Sequence, residues 1–207
     1  MYFCSENYDA ADPAILKALV KSNKGFVPSY GEDEYTQKAK ELLQHAFGRN
    51  DIEVFFCFNG TGANNFALGS ITQRHTAVLC SDVSHLYTAE STAPETFTGC
   101  RLYPVKSING KISVADLLSN INRSNGVHLP PAAVLTITQP TEYGTVYSRE
   151  ELQEISRCCK KYQVLLHIDG ARLFNALAAT EGSLSEFAKL SAADVITLGG
   201  TKSGLLF

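Results

Sequence analysis

Two short runs of this chain carry residue types suited to chemistry. Leu166-His167-Ile168-Asp169-Gly170-Ala171-Arg172 puts a carboxylate at the end of an apolar run. Leu198-Gly199-Gly200-Thr201-Lys202-Ser203-Gly204 puts an amine at the end of another, about one βαβ unit later. A carboxylate at a strand end can pair with a protonated pyridine nitrogen, and the cationic ring is then an electron sink for a carbanion. A lysine can join an aldehyde cofactor as a Schiff base. Free lysine titrates near ~10.4 and is a poor nucleophile at neutral pH, and burial or a nearby cation lowers that value. Gly199, Gly200 and Gly204 leave room for a flat ligand close to the backbone. The plainer readings are a turn or capping aspartate before Gly170-Ala171 and a solvated loop lysine.

Three further features accompany this pair. Asn59-Gly60-Thr61-Gly62 lies between a strand pattern and a helix pattern, where backbone N–H groups and the helix dipole favour phosphate. It matches neither the Walker sequence nor the dinucleotide glycine fingerprint, and a simple capped turn is its plainer reading. His85 follows an apolar strand pattern; its flat imidazole could stack on a planar ring and reach a substrate proton, or be a surface-loop histidine. Arg172 could hold a substrate carboxylate with its planar fork, or form a surface salt bridge. In chain order these parts are a phosphate turn, a ring-stacking histidine, a ring-nitrogen aspartate and a Schiff-base lysine. That set is what a pyridoxal 5'-phosphate site needs.

The elements that must position them alternate along the chain. Asp12 to Ser22 reads as a short helix with Asp12 as N-cap and Pro13 in its first turn. Residues 25–33 read as a loop, and Glu34 to Phe47 as a helix stopped by Gly48. Strands are expected at Val54–Phe58, Thr76–Cys80, Arg101–Val105, Ala132–Thr138, Val164–Ile168 and Asp194–Leu198. Helices are expected at Ala63–Gln73 and Val114–Ile121, and from the capping boxes Ser148-Arg149-Glu150-Glu151 (to Tyr162) and Ser183-Leu184-Ser185-Glu186. Several strands are apolar throughout, as in a sheet covered on both faces. The alternation predicts an α/β/α sandwich around a mainly parallel mixed sheet.

Bulk properties bound the function. The chain has 207 residues, 44% of them hydrophobic and 19% charged, enough to bury a sizeable core. A net charge of −3 without a basic run argues against nucleic acid as a partner. No apolar stretch approaches the ~18 residues of a membrane span, so no membrane partner is expected. The first residues lack a signal-peptide pattern. Six cysteines without a CxxC pattern read as reduced thiols of a cytoplasmic protein.

The chain resembles the threonine aldolases and related β-eliminating lyases, pyridoxal-phosphate enzymes of the aspartate-aminotransferase fold type. The resemblance lies in Phe3-Cys4-Ser5-Glu6-Asn7, Tyr30-Gly31-Glu32-Asp33, Asn59-Gly60-Thr61-Gly62-Ala63-Asn64, Asp82-Val83-Ser84-His85, Glu142-Tyr143-Gly144-Thr145-Val146-Tyr147, His167 to Arg172 and Gly200-Thr201-Lys202. It implies that Lys202 carries the cofactor, Asp169 holds its pyridine nitrogen, Gly60 and Thr61 bind its phosphate, and His85 stacks on its ring. It also implies that Arg172 and Ser5 hold the substrate carboxylate, with Tyr30 near the site, contributed from a partner subunit. The implied reaction cleaves β-hydroxy-α-amino acids such as threonine to glycine and an aldehyde, with His85 handling the hydroxyl proton. The implied assembly is a homodimer or homotetramer with its sites at the subunit boundary. On the same basis residues 1–25 are expected to be an N-terminal segment and 26–207 the cofactor-binding large domain. The chain is expected to be a fragment lacking a small C-terminal domain. Thr201 stands where many members have serine, and Gly200-Thr201-Lys202 with Glu142 to Tyr147 resembles a divergent branch of the family.

Three other readings remain open. β-Elimination from cysteine, tryptophan or tyrosine would use the same lysine and aspartate. His85, His167 and Asp169 could form a metal site for hydrolysis. The chain could also be an inactive remnant that still associates with itself.

Overall fold

The computed structural model of this protein describes residues 5–8, 10–124 and 126–205. After a 3₁₀ turn at Glu6–Tyr8, the first helix, α1, spans Pro13–Ser22, and the Asp12 side chain accepts the Ala14 N–H at 2.7 Å. Asp33 caps α2 (Glu34–Phe47) through the Thr36 N–H, and Gly48 ends it in the left-handed region at φ 64°. Asn59 caps α3, which spans Gly60–Ile71. The helix therefore starts three residues earlier than expected, and Gly60 and Thr61 fall in its first turn.

Strand–helix alternation follows: β1 (Ala77–Ser81), α4 (His85–Thr88), α5 (Ala93–Thr98), β2 (Arg101–Val105), α6 (Val114–Ser124) and β3 (Ala132–Thr138). Next come α7 (Arg149–Tyr162), β4 (Leu165–Gly170), α8 (Leu173–Ala179), α9 (Leu184–Ser191), β5 (Val195–Leu198) and a 3₁₀ turn at Thr201–Ser203. Both helix starts lie where the sequence puts them: Ser148 and Glu151 bond reciprocally in a capping box at the start of α7, while at the start of α9 Ser183 accepts the Glu186 N–H and the Glu186 carboxylate turns to Arg149.

The five strands pair in the order β2-β1-β3-β4-β5, all in parallel. Leu79, Leu135, Ile137, Leu166 and Ile168 are buried on one face of the sheet, beneath α6 and α7. The opposite face carries a smaller apolar cluster around Leu68, Val78, Leu86 and Val134. Toward the C-terminal ends of the strands that second face turns polar. Thr136 lies beside His167, Thr138 beside Asp169, and Asp169 beside Thr197, in strict register.

The strand expected at Val54–Phe58 is absent. The segment pairs with no described strand, and Phe55, Phe56 and Phe58 are 61%, 58% and 91% exposed. Aromatic enrichment favours strands because such side chains pack against neighbours on a sheet, not through the backbone alone. Here Phe55 packs on Phe66 of α3, with ring centroids 5.2 Å apart.

Candidate active site

The strand order reverses between β1 and β3, and in open α/β sheets ligands bind in the crevice beyond such a reversal, at the C-terminal strand ends. His85 follows β1, Glu142 follows β3, Asp169 lies at the end of β4, and Lys202 follows β5. The edge of the sheet thus gathers four ionisable residues onto one rim.

Asp169 is the best-fixed of them. It is 5% exposed, and its two oxygens have different partners. Oδ1 accepts the Ala171 N–H at 3.0 Å, and Oδ2 accepts from Asn64 Nδ2 at 3.1 Å. Backbone crossing explains the glycines on either side of this turn. A Cβ on Gly170 would strike the Thr197 carbonyl, and one on Gly199 would strike the Ala171 backbone. Gly199 is therefore required by the approach of β4 to β5, not by the ligand space the sequence reading gave it. By contrast a Cβ at Gly60 would meet nothing within 4 Å.

His85 opens α4. Its backbone N–H donates to Glu142 Oε1 at 2.7 Å, and the same oxygen accepts from Thr138 Oγ1 at 2.9 Å, which ties the β1 loop to the end of β3. The ring Nδ1 is 3.0 Å from Glu90 Oε1. That bond to Glu90 raises the His85 pKa, with help from the charges of Glu90 and Asp169; burial and the Lys202 charge oppose it. His167, on the same face of β4 as Asp169, is fully buried, and burial holds its pKa well below the ordinary histidine value. It is a neutral core histidine, with Nδ1 3.3 Å from Thr136 Oγ1.

Lys202 is half-buried in its 3₁₀ turn, against which the N-terminal turn packs. The Asp12 N–H donates to the Gly204 carbonyl at 3.0 Å. Burial lowers the Lys202 pKa, the Arg172 charge lowers it further, and Glu6, Asp169 and Glu142 oppose. An amine shifted this way is deprotonated more readily, as a carbonyl nucleophile requires. Arg172 Nε donates to Glu6 Oε1 in a close ion pair. This bond, ahead of burial and the charges of Arg172 and Lys202, brings the Glu6 pKa down on balance. Ser5, next to Glu6, accepts the Asn7 N–H. The carboxylate-clamp candidates therefore sit beside Lys202, with a glutamate of this chain already on the arginine.

At the start of α3, Asn59 takes the Gly62 N–H at 2.7 Å, while the amides of Gly60 and Thr61 bond to none of the described residues. Two free amides at the start of a twelve-residue helix fit a phosphate. Together with the buried Asp169 carboxylate and the half-buried amine of Lys202, they fit pyridoxal phosphate. Tyr30, at φ 60° in the loop before α2, is 101% exposed, and among the described residues no contact joins it to the rim. Among the described residues no three histidine, cysteine or carboxylate side chains are grouped to hold a metal; His85 is turned to Glu90, and His167 to Thr136.

Four residues given no role from the sequence join the candidate site: Asn64 and Glu142, which lie in the runs that carry the resemblance, and Glu90 and Thr197. Thr197 Oγ1 donates to Asn64 Oδ1 at 2.9 Å, and Asn64 Nδ2 donates to Glu90 Oε1 at 2.9 Å. The available signal was Asn64 itself, a poor helix former in the middle of an apolar helical run.

A parallel α/β sheet with a lysine, an aspartate and a helix N-terminus on its carboxyl rim defines a fold-type I pyridoxal-phosphate scaffold. The beta-eliminating lyase family model matches residues 3–206, and the chain belongs to that family, one of pyridoxal-phosphate-dependent lyases. It is 40% identical over 204 residues to a low specificity L-threonine aldolase of a Pseudomonas species, covering 98% of this chain and 59% of that protein. It is 30% identical over 162 residues to a low-specificity L-threonine aldolase of Candida albicans, covering 76% of this chain and 42% of that protein. A threonine aldolase structure from Leishmania major superposes with a TM-score of 0.93 at 31% identity, covering 98% of this chain and 59% of that one. The chain thus spans about three fifths of the length of the Pseudomonas and Leishmania relatives.

Proposed function

We propose that this chain is the cofactor-holding part of an aldehyde-lyase that cleaves L-threonine or a related β-hydroxy-α-amino acid to glycine and an aldehyde. The observation that carries the reading is the pairing, on one rim, of a buried Asp169 with a half-buried Lys202 whose amine is shifted toward its free form. Lys202 is the cofactor's covalent anchor, Asp169 its pyridine-nitrogen partner, and the Gly60 and Thr61 amides its phosphate grip. Pyridoxal 5'-phosphate, when bound, supplies an electron-withdrawing ring beside the substrate α-carbon.

The chain's own residues supply the rest. Arg172, with Ser5, holds the substrate carboxylate, and the substrate must displace Glu6 from the guanidinium to do so. Imidazole Nε2 of His85 takes the β-hydroxyl proton. The O–H electron pair becomes the second C–O bond of the aldehyde as the Cα–Cβ bond breaks. The pair from that bond stays on the glycine half, which takes up a proton at Cα before release. Tyr30, so exposed in one chain, belongs beside the site of a partner subunit, in a homodimer or homotetramer whose sites lie at the boundary. No helix of the described residues is long and apolar enough to cross a membrane.

Product analysis tests the reading. Purified protein loaded with pyridoxal 5'-phosphate and given L-threonine should release glycine and acetaldehyde in equal amounts. Ammonia and an oxo acid in their place would show elimination, and the retro-aldol assignment would fall.

A further inference from the structure

Glu90 is a carboxylate in an expensive place. Its side chain is 0% exposed, and Oε2 has no hydrogen-bond partner among the described residues. A buried carboxylate is costly unless it is paired and hydrogen-bonded. The partners it has are two groups of the rim: Asn64 Nδ2 at 2.9 Å and His85 Nδ1 at 3.0 Å, both on Oε1. A hydrogen bond from the imidazole to an ionised carboxylate requires the proton on Nδ1. In the neutral ring Nε2 is then the bare nitrogen, on the ring edge away from Glu90. That is the form the reaction requires of a proton acceptor.

Asn64 extends the arrangement. Its amide has one reasonable orientation, because Thr197 donates to Oδ1 while Nδ2 faces two carboxylates, Glu90 and Asp169. Turned over, the carbonyl oxygen would face both carboxylates. One amide thereby spends both N–H groups separating two like charges while bonding to each. A 3% exposed asparagine in mid-helix gives up helix propensity and apolar packing for this bridge.

We propose that Glu90 and Asn64 are positioning residues: Glu90 fixes His85 in its Nδ1–H form with Nε2 as the reacting nitrogen, and Asn64 binds that same carboxylate to Asp169. The histidine that moves the proton and the aspartate that holds the ring nitrogen are then one hydrogen-bonded unit running Asp169–Asn64–Glu90–His85. The assignment of His85 as the reacting base rests on the lyase reading above; its tautomer does not.

The test is the ring itself. Nitrogen-15 and carbon-13 spectra of the purified protein with labelled histidine give the tautomer and pKa of each imidazole, with His85→Gln identifying the signal. In the wild type, neutral His85 should be the Nδ1–H tautomer and should titrate above the ordinary ~6.5. The groups facing it are Glu90 and Asp169, which raise its pKa, and Lys202, which lowers it, with Glu142 on its backbone N–H. Glu90→Gln keeps an acceptor at Oε1 but removes the charge. The tautomer should persist while the pKa falls by about one unit, a tenfold change in the protonation equilibrium. The acid limb of kcat for threonine cleavage should move down by the same amount, with KM nearly unchanged. A wild-type Nε2–H tautomer would overturn the proposal without any variant, and so would a His85 pKa that is the same in wild type and Glu90→Gln. A purely structural Glu90 would alter stability and leave the pH limb in place. Absence of a reducible pyridoxyl adduct on Lys202 would instead sink the lyase reading and leave the His85 titration standing.

Discussion

The carboxyl rim of the sheet and the segment from α1 through Phe58 contrast in how their groups are satisfied. On the rim, buried polar side chains find one another across long stretches of sequence: Asn64 with Asp169, Thr197 with Asn64, Glu142 with the backbone of His85. In residues 10–58 the described helices bury almost nothing. α1 has no buried residue, α2 only Phe47, and Val20, Phe26, Tyr30 and Phe58 stand open to solvent. The rim joins most of its polar side chains to one another within one chain, though Glu90 Oε2 and Glu142 Oε2 keep no partner among the described residues, whereas the other region displays apolar surface of the kind that marks contact with other protein. The proposed cofactor half of the site is thus built on this chain's own core. Tyr30, the site candidate on the open region, is the one the fold leaves apart.

Substitutions can break that contrast. Leu135→Ala, in the fully buried face of β3, should cost about 2–5 kcal/mol in denaturant unfolding, whereas Phe58→Ser should stay within about 0.5 kcal/mol. Equal losses would mean that Phe58 is buried in the folded protein. Next in size is Asp169→Asn, which keeps an acceptor for Asn64 but removes the charge. It should lower kcat/KM for threonine cleavage about 10²–10³-fold while leaving the circular dichroism spectrum unchanged. Near-normal activity would show that the carboxylate has only a structural part.

Capping gives a smaller, paired measurement. Ser148→Ala removes a reciprocal box on a helix that buries Leu152 and Ile155, and should cost about 1 kcal/mol of global stability. Asp12→Ala should instead speed hydrogen exchange in α1 alone, because nothing in α1 is buried. The smallest effect is a pH shift. Burial, then Arg172, lower the Lys202 pKa, so its free amine should appear below the ~10.4 of an ordinary lysine. The pH at half-maximal rate of labelling by pyridoxal 5'-phosphate should accordingly be lower for Lys202 than for the surface lysines in the same sample.

The parts that the sequence showed clearly are those whose causes are local. Asp12-Pro13 before α1, Gly48 after α2, and Ser148 and Ser183 before α7 and α9 cap helices through residues two to four apart, and each lies where it was expected. The apolar runs of β1, β3 and β4 are recognisable because burial on both faces removes alternation. Val54–Phe58 has the same composition and was misread for that reason: a strand needs a partner edge, and composition does not reveal one. Asp169 and Lys202 were legible as candidates because ionisable residues at strand ends lie where open α/β sheets bind ligands. Asn64, Glu90, Glu142 and Thr197 were not, because their meaning lies in contacts between distant parts of the chain that only the sheet order creates. Arg172 was found, yet its bond to Glu6 was not, for the same reason.

The central claim is that the rim of this sheet presents Lys202 to an aldehyde cofactor. Incubation of the purified protein with pyridoxal 5'-phosphate, reduction with borohydride and peptide mapping measures that directly. The label should fall on the peptide containing Gly200-Thr201-Lys202, and Lys202→Ala should remove it while the fold persists. A label spread over surface lysines, or one that survives Lys202→Ala, would contradict the claim.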